Sequence, residues 1–448
     1  MKILLAVLLN AALLAVLVPW LRRQWQWAAT GKWQLLFGLG LALRLGVGLV
    51  RNLHPQGDAR FMSFVGHTVA RRMWRHPEST WDILTRTVTV FPRDQAAYDF
   101  VFQNTSNTWI LIKILGVLNM ASLQTDWVNS LYLSLFVFAG CWQLVRTLAE
   151  TFPAAPAGAA AVGFLFWPTT VFWATGISKE SVLLGSGAWL TARVVSLCYG
   201  PATAAVRLVG SQLRWWLGTL VLALIHFGMR YFFAVPLLGV LAGVALGRWL
   251  ERYTPVRGRL GQVAALAAVL GTGIWLAPQM SVAFSLNKFT NQVITVYSSE
   301  LVHALNRPHF EYSDLRPTIE SIASYAPKAV LNVITRPWLG ESWRPLYIGA
   351  SLENAAIQAL LVLAGWAALK RKAGHLPFGL GLGLAIFCVI LAMLMGLTTP
   401  NLGSLNRYRC GLLPFLLLLL LQNDYAARAL RRLQRKVPRA AEVPPGQG

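Results

Sequence analysis

The chain reads as an all-α integral membrane protein, a polytopic helical bundle of about eleven transmembrane helices, and three observations carry that reading. Hydrophobic residues make up 56% of the 448 residues and charged residues only 13%, against about 25% charged in soluble domains. Several apolar runs reach the roughly 20 residues that span a bilayer. The 19 tryptophans and 11 tyrosines gather near the ends of those runs, as interfacial belts require. A transmembrane barrel would need short alternating segments instead.

The first run is Leu4 to Trp20. LRRQWQW follows it rather than an A-x-A-like cleavage site, so it is read as a retained helix. Trp33–Val50, Val128–Thr147, Ala155–Thr175, Ser181–Leu197 and Trp215–Phe227 come next. Tyr231–Leu250, Gln262–Ala277, Tyr347–Leu369, Phe378–Thr398 and Cys410–Leu421 complete the set. Trp109–Leu123 is short and carries Lys113, and is predicted to be a re-entrant or surface helix. Two long polar segments interrupt the runs, Arg51 to about Thr108 and Gln279 to Leu346. In the first, Phe61, Val65, Val69 and Met73 recur every four residues while Arg60, His67, Arg71 and Arg75 take other faces. That spacing predicts an amphipathic helix lying in the membrane interface.

Four parts follow: an N-terminal membrane module (1–278) with its loop 51–108, a second loop (279–346), C-terminal membrane helices (347–422) and a basic tail (423–448) ending in a disordered stub. Short basic clusters set the orientation. They are Arg22, Arg23 and Lys32; Arg248, Arg252, Arg257 and Arg259; Lys370, Arg371 and Lys372; and the tail. All are cytoplasmic together if Trp109–Leu123 does not cross. Both long segments, the Lys179–Glu180 turn, Arg230 and the turn Asn401–Cys410 then share the outer face. Arg51, Arg60, Arg71, Arg72, Arg75, Arg86 and Arg93 of the first loop run against the rule, which is weaker for loops of about 60 residues.

The net charge of +23 is spread over many loops. It points to anionic headgroups and phosphate-bearing substrates rather than nucleic acid. The four cysteines lack CxxC spacing, so neither a zinc site nor a disulfide framework is indicated. No P-loop, GxGxxG, HExxH or GxSxG occurs, which argues against a membrane ATPase. Asp58 in HPQGDARF sits just past the second run, placed to act as a general base or to ligand a hard cation. The plainer alternative is an N-cap for the helix after it. Lys179 and Glu180 interrupt FWATGISKESVLLGSGAW. They either cap the next helix or contribute a phosphate contact and an acid. Arg230, Arg336, Arg407 and Arg409 stand at run ends, where a guanidinium can snorkel or grip a phosphate.

Taken in order, GDA before an amphipathic helix, an FP-containing approach, FWPTTVFWATGISKES, HFGMRYFF, RPTIESIASYAPKAVLNVITRPWLGES…SLENA and NRYRCGLLPF resemble the GT-C superfamily of polyprenyl-phosphate-sugar-dependent glycosyltransferases. The likeness runs from about Trp33 to Leu421 and is nearest to membrane proteins of bacterial polysaccharide loci. It implies a GT-C-like bundle in the bacterial inner membrane with its active site facing the periplasm. Asp58, as base or metal ligand, and Glu180 would be the catalytic carboxylates, alone or with a divalent cation (Mg or Mn). Lys179, Arg230, Arg336, Arg407 and Arg409 would meet the phosphate. The implied partners are a polyprenyl-phosphate sugar donor, a glycan or lipid acceptor and membrane lipids. Ala59 stands where many members have a second acid, and Lys179–Glu180 where many have a lone Asp. Two other readings remain: an O-antigen-type polymerase or ligase, and a flippase for lipid-linked glycans, for which no internal repeat speaks.

Overall fold

A computed structural model describes residues 1–31, 33–85, 88–91, 100–103, 107–156, 158–200, 209–254, 258–280 and 285–431. The expectations that fall on Lys32, Arg86, Arg93, Arg257 and the tail beyond residue 431 lie outside the described residues. In chain order the elements begin with α1 (Lys2–Thr30), α2 (Gln34–Asn52), α3 (Gly57–Arg75) and α4 (Thr80–Thr85). A hairpin of β1 (Val88–Phe91) and β2 (Phe100–Gln103) comes next, antiparallel with Val88 opposite Gln103. Then come α5 (Asn107–Ser122), α6 (Asp126–Thr151), α7 (Gly158–Ala161), α8 (Pro168–Trp173) and α9 (Lys179–Tyr199). They are followed by α10 (Val209–Met229), α11 (Tyr231–Tyr253), α12 (Arg259–Met280), α13 (Leu286–Val302) and α14 (Ile319–Thr335). The chain closes with α15 (Pro345–Leu369), α16 (Phe378–Thr398), α17 (Leu402–Tyr408), α18 (Leu413–Leu420) and α19 (Asp424–Leu430). The hairpin is a small addition to an otherwise helical chain. Its strands, VTVF and FVFQ, are β-branched and aromatic, as strands prefer.

Among the described residues, eight helices are long and apolar enough to cross a membrane: α1, α2, α6, α9, α11, α12, α15 and α16. This is the architecture of a multi-pass membrane protein. The other three of the eleven expected runs fall outside that set. Ala155–Thr175 breaks into α7, a π turn at Val162–Phe166 and α8, which opens on Pro168. Proline is tolerated there because a helix start needs no donor at that position. Cys410–Leu421 is one 3₁₀ turn and the eight-residue α18, buried among its neighbours. Trp215–Phe227 lies in α10, where Gln212, Arg214 and His226 interrupt the apolar sequence.

The bundle's outer helices present leucine and isoleucine outward, with Ile274 76% and Val362 75% exposed. Its centre is held by close backbone contact. A side chain on Gly140 of α6 would collide with the Gly185 carbonyl of α9, and one on Gly396 of α16 with the Ala329 carbonyl of α14. Small residues at such crossings are the usual packing device inside membranes, where apolar burial alone does not drive helices together.

The amphipathic helix predicted in the first loop is α3, but its apolar face has another use. Val65, Val69 and Met73 of the predicted stripe are buried together with Met62, while Phe61 is 37% exposed, and Gly66 and Gly116 let α3 settle against α5. Most of the stripe therefore covers a helix. α5 itself begins at Asn107, which bonds Lys179, and ends beside Asn129 in the first turn of α6. Both ends meet the same end of the bundle, in line with a helix that does not cross.

Candidate functional site

Five segments bring charges together at one end of the bundle. The first is the start of α9. The chain turns at Gly176, whose φ of +73° suits glycine and where any Cβ would collide with the Asn52 amide. Ser178 then caps α9, its hydroxyl accepting from Ser181 N at 3.1 Å. Lys179 and Glu180 are therefore the first two helical residues rather than part of an open turn, and Glu180 is only 2% exposed. The cap and the charge cluster coexist. Ser178 does the capping and leaves both charged side chains available.

Arg44 explains why the chain before α9 is irregular. It lies in the middle of α2, fully buried, and among the described residues no carboxylate pairs with it. Its Nη1 donates to the Thr170 carbonyl at 3.1 Å, the Ala174 carbonyl at 2.7 Å and the Thr175 hydroxyl at 2.9 Å. Its Nη2 donates to the Phe164 carbonyl at 2.7 Å. One guanidinium thus supplies donors to the Phe164 and Ala174 carbonyls where the helix is broken, and adds a second donor to the Thr170 carbonyl, which already accepts from Ala174 N. Two turns further on, Arg51 donates to the carbonyls of Phe172 and Thr175 and lies over the Phe172 ring at 4.7 Å. Sequence reading passed over Arg44. Its signal is a lone arginine at the centre of LGLALRLGVG.

The cluster itself is a chain of alternating charges. Arg230, between α10 and α11, donates from Nη2 to Glu180 Oε1 at 3.0 Å. Arg407 of α17 donates from Nε to the same oxygen at 3.0 Å and from Nη1 to Asp58 Oδ2 at 2.6 Å. Asp58 does not cap α3. Gln56 occupies that position and Asp58 sits one residue inside the helix. The hydrogen bond from Arg407 holds the Asp58 carboxyl below the usual carboxylate range, against partial burial and helped by the charges of Arg407, Lys179 and Arg230. Burial works against the charge on Arg407, but Glu180 and then Asp58 outweigh it, so its pKa is raised. Lys179 stands apart from the carboxylates, its Nζ donating to Asn107 Oδ1 at 2.9 Å and Thr108 Oγ1 at 2.7 Å.

Beside this chain lies a cavity of about 340 Å³. Asn107, Lys179, Arg230 and Tyr408 give it a polar, cationic part, and Phe289, Val293, Val296, Leu394 and Met395 an apolar one. Arg230 is held flat over the Tyr408 ring, 4.0 Å from its centroid. Asp58, Glu180 and Arg407 do not line the cavity; they follow one another away from it through Arg230.

Arg336 and Arg409 do not join the cluster. Arg409 is 1% exposed, donating to the Arg336 carbonyl at 2.7 Å and to Asn354 Oδ1 at 2.6 Å. Arg336 pairs with Glu341 at 3.2 Å. Glu353 Oε2 accepts from Thr169 N at 3.1 Å. The two arginines and SLENA form a separate clamp that holds the loop before α15 to the start of α8. The second long segment is also tied to the arginine turn, with Phe310 N donating to the Pro400 carbonyl at 3.2 Å and Leu402 N to the Pro308 carbonyl at 3.1 Å.

A divalent cation, Mg or Mn, bridging Asp58 and Glu180 would have to displace the Arg407 guanidinium that already bridges them. The two carboxylates fit a guanidinium better than a metal, and no step is routed through one. No known protein family, curated protein or solved structure matches this chain.

Proposed function

We propose that this protein is a membrane glycosyltransferase that moves a sugar from a lipid-phosphate-linked donor to a glycan, lipid or protein acceptor. The supporting observation is the two-part cavity. Lys179 and Arg230 line it together with an apolar wall, the combination a polyprenyl phosphate needs for its headgroup and the start of its chain. The resemblance to GT-C enzymes agrees with it. The leaving group is a lipid phosphate, so the main catalytic demand is fixed positive charge at the departing oxygen. Arg230 supplies it already oriented by Glu180 and Tyr408, and a site away from bulk water strengthens the interaction.

The sequence expectation gave Asp58 the role of base. A carboxylate bound to a guanidinium and held at low pKa is a weak base at neutral pH. In this proposal Asp58 and Glu180 instead fix Arg407 and Arg230. The basic clusters Arg248–Arg252 and Lys370–Lys372 lie at the ends of α11 and α15 remote from the site. Together with the positive-inside rule, this arrangement supports a site on the outer face of the bacterial inner membrane.

The test is transfer in proteoliposomes from a panel of radiolabelled polyprenyl-phosphate sugars, read as polyprenyl phosphate released and sugar transferred. Lys179→Met and Arg230→Met should each lower activity at least tenfold. Consumption of lipid-diphosphate oligosaccharides alone would favour the polymerase reading. Transbilayer movement without product would favour the flippase. Either result would overturn the proposal.

A further inference from the structure

Lys179 and Arg230 are not the only charges in the cavity. Glu300, in the last turn of α13, lines it as well. Phe289, Gln292, Val293, Val296 and Glu300 recur at helical spacing, so one face of α13 forms a wall of the cavity and ends on this carboxylate. The helix is fixed one turn earlier, where the Tyr297 hydroxyl accepts from Tyr312 N at 2.8 Å. Among the described residues no basic side chain pairs with Glu300. Asp58 and Glu180 by contrast are both held by arginines, and neither lines the cavity. Of these three carboxylates, Glu300 alone shares the space of the cations without a guanidinium on it.

We infer that Glu300 is the general base of the transfer, taking the proton of the acceptor hydroxyl. This rests on the glycosyltransferase reading. As the hydroxyl oxygen bonds to the anomeric carbon, the bond from that carbon to the phosphate oxygen breaks. Its electron pair leaves with the phosphate, whose charge Lys179 and Arg230 neutralise. The hydroxyl proton passes to the Glu300 carboxylate and then to water. A base must reach the proton it abstracts, and a carboxylate on the cavity wall meets that demand where Asp58 does not.

Two measurements on the full-length protein test this. In detergent, dicyclohexylcarbodiimide should modify Glu300, as read by peptide mass spectrometry, and saturating farnesyl phosphate should prevent it, with farnesyl phosphate binding measured separately by calorimetry. Binding without protection would place Glu300 outside the site and overturn the inference. Absence of binding would remove the glycosyltransferase reading and this inference with it. In the transfer assay, Glu300→Gln should lower kcat by about 10²–10⁴, the usual contribution of a general base. It should also abolish the acid limb of the pH–rate profile while leaving farnesyl phosphate binding no weaker than in wild type, which reports correct folding. Glu300→Asp should restore part of the rate. A Glu300→Gln enzyme with wild-type kcat would refute the assignment.

Discussion

Arg407 bonds two carboxylates in very different surroundings, and removing it should show which of the two matters. Glu180 is 2% exposed, Arg407 21% and Asp58 65%. Breaking a buried ion pair typically costs 3–5 kcal/mol because a charge is left without a partner. In Arg407→Met, however, Glu180 keeps Arg230 at 3.0 Å, so the expected coupling between Arg407 and Glu180 is about 2–3 kcal/mol. The Asp58 arm is largely in water, and its coupling should stay under about 1 kcal/mol. Two double-mutant cycles separate them, Arg407→Met with Glu180→Gln and Arg407→Met with Asp58→Asn. Each corner is an unfolding free energy measured in detergent by steric trapping. A coupling to Asp58 as large as that to Glu180 would refute the argument that burial decides the strength of this cluster.

Three further outcomes follow from particular contacts. Gly176→Ala should cost about 1–3 kcal/mol, since the position combines a left-handed φ with a blocked Cβ direction. Gly57→Ala, at φ +54° with open space around it, should cost less, and thermal midpoints compare the two. Arg44→Met should destabilise the chain by on the order of 3–5 kcal/mol by orphaning the carbonyls before α9. Arg44→Lys should not rescue it, because an ammonium cannot span those acceptors, and size-exclusion profiles of the folded fraction report both. Asp58 has a folded pKa below its unfolded value near about 4. Its contribution to stability is therefore complete above that value and fades as pH falls through the folded pKa. Asp58→Asn should flatten the loss of thermal midpoint below about pH 4 and leave the midpoint at pH 7 within a degree or two of wild type.

Much of the architecture was legible because it rests on local sequence. The apolar runs that became α1, α2, α6, α9, α11, α12, α15 and α16 carry their own membrane signal, and the four-residue periodicity of α3 marked a helix. The form of two other runs needed a partner to be understood. Ala155–Thr175 is apolar enough for a span, yet it folds around the Arg44 guanidinium from another helix. Cys410–Leu421 is equally apolar and becomes a short buried helix because neighbours enclose it on all sides. Hydropathy measures how well a segment tolerates removal from water, and protein interior and lipid both satisfy that measure.

At the site, the sequence by itself supplied the types of charge and their places at the ends of apolar runs. Asp58, Lys179, Glu180, Arg230 and Arg407 were all visible as polar residues where a membrane chain should have few. Which of them meet was decided only in three dimensions. Arg407 and Arg409 are two residues apart in sequence, yet one joins Glu180 and Asp58 while the other turns to Asn354 and the Arg336 backbone. Sequence reading did not single out Glu300, which α13 sets in the wall of a cavity shared with Lys179 and Arg230. The physical reason is range. Hydropathy and helical period are properties of neighbours along the chain, whereas pairing of charges a hundred residues apart depends on helix packing that no local pattern encodes.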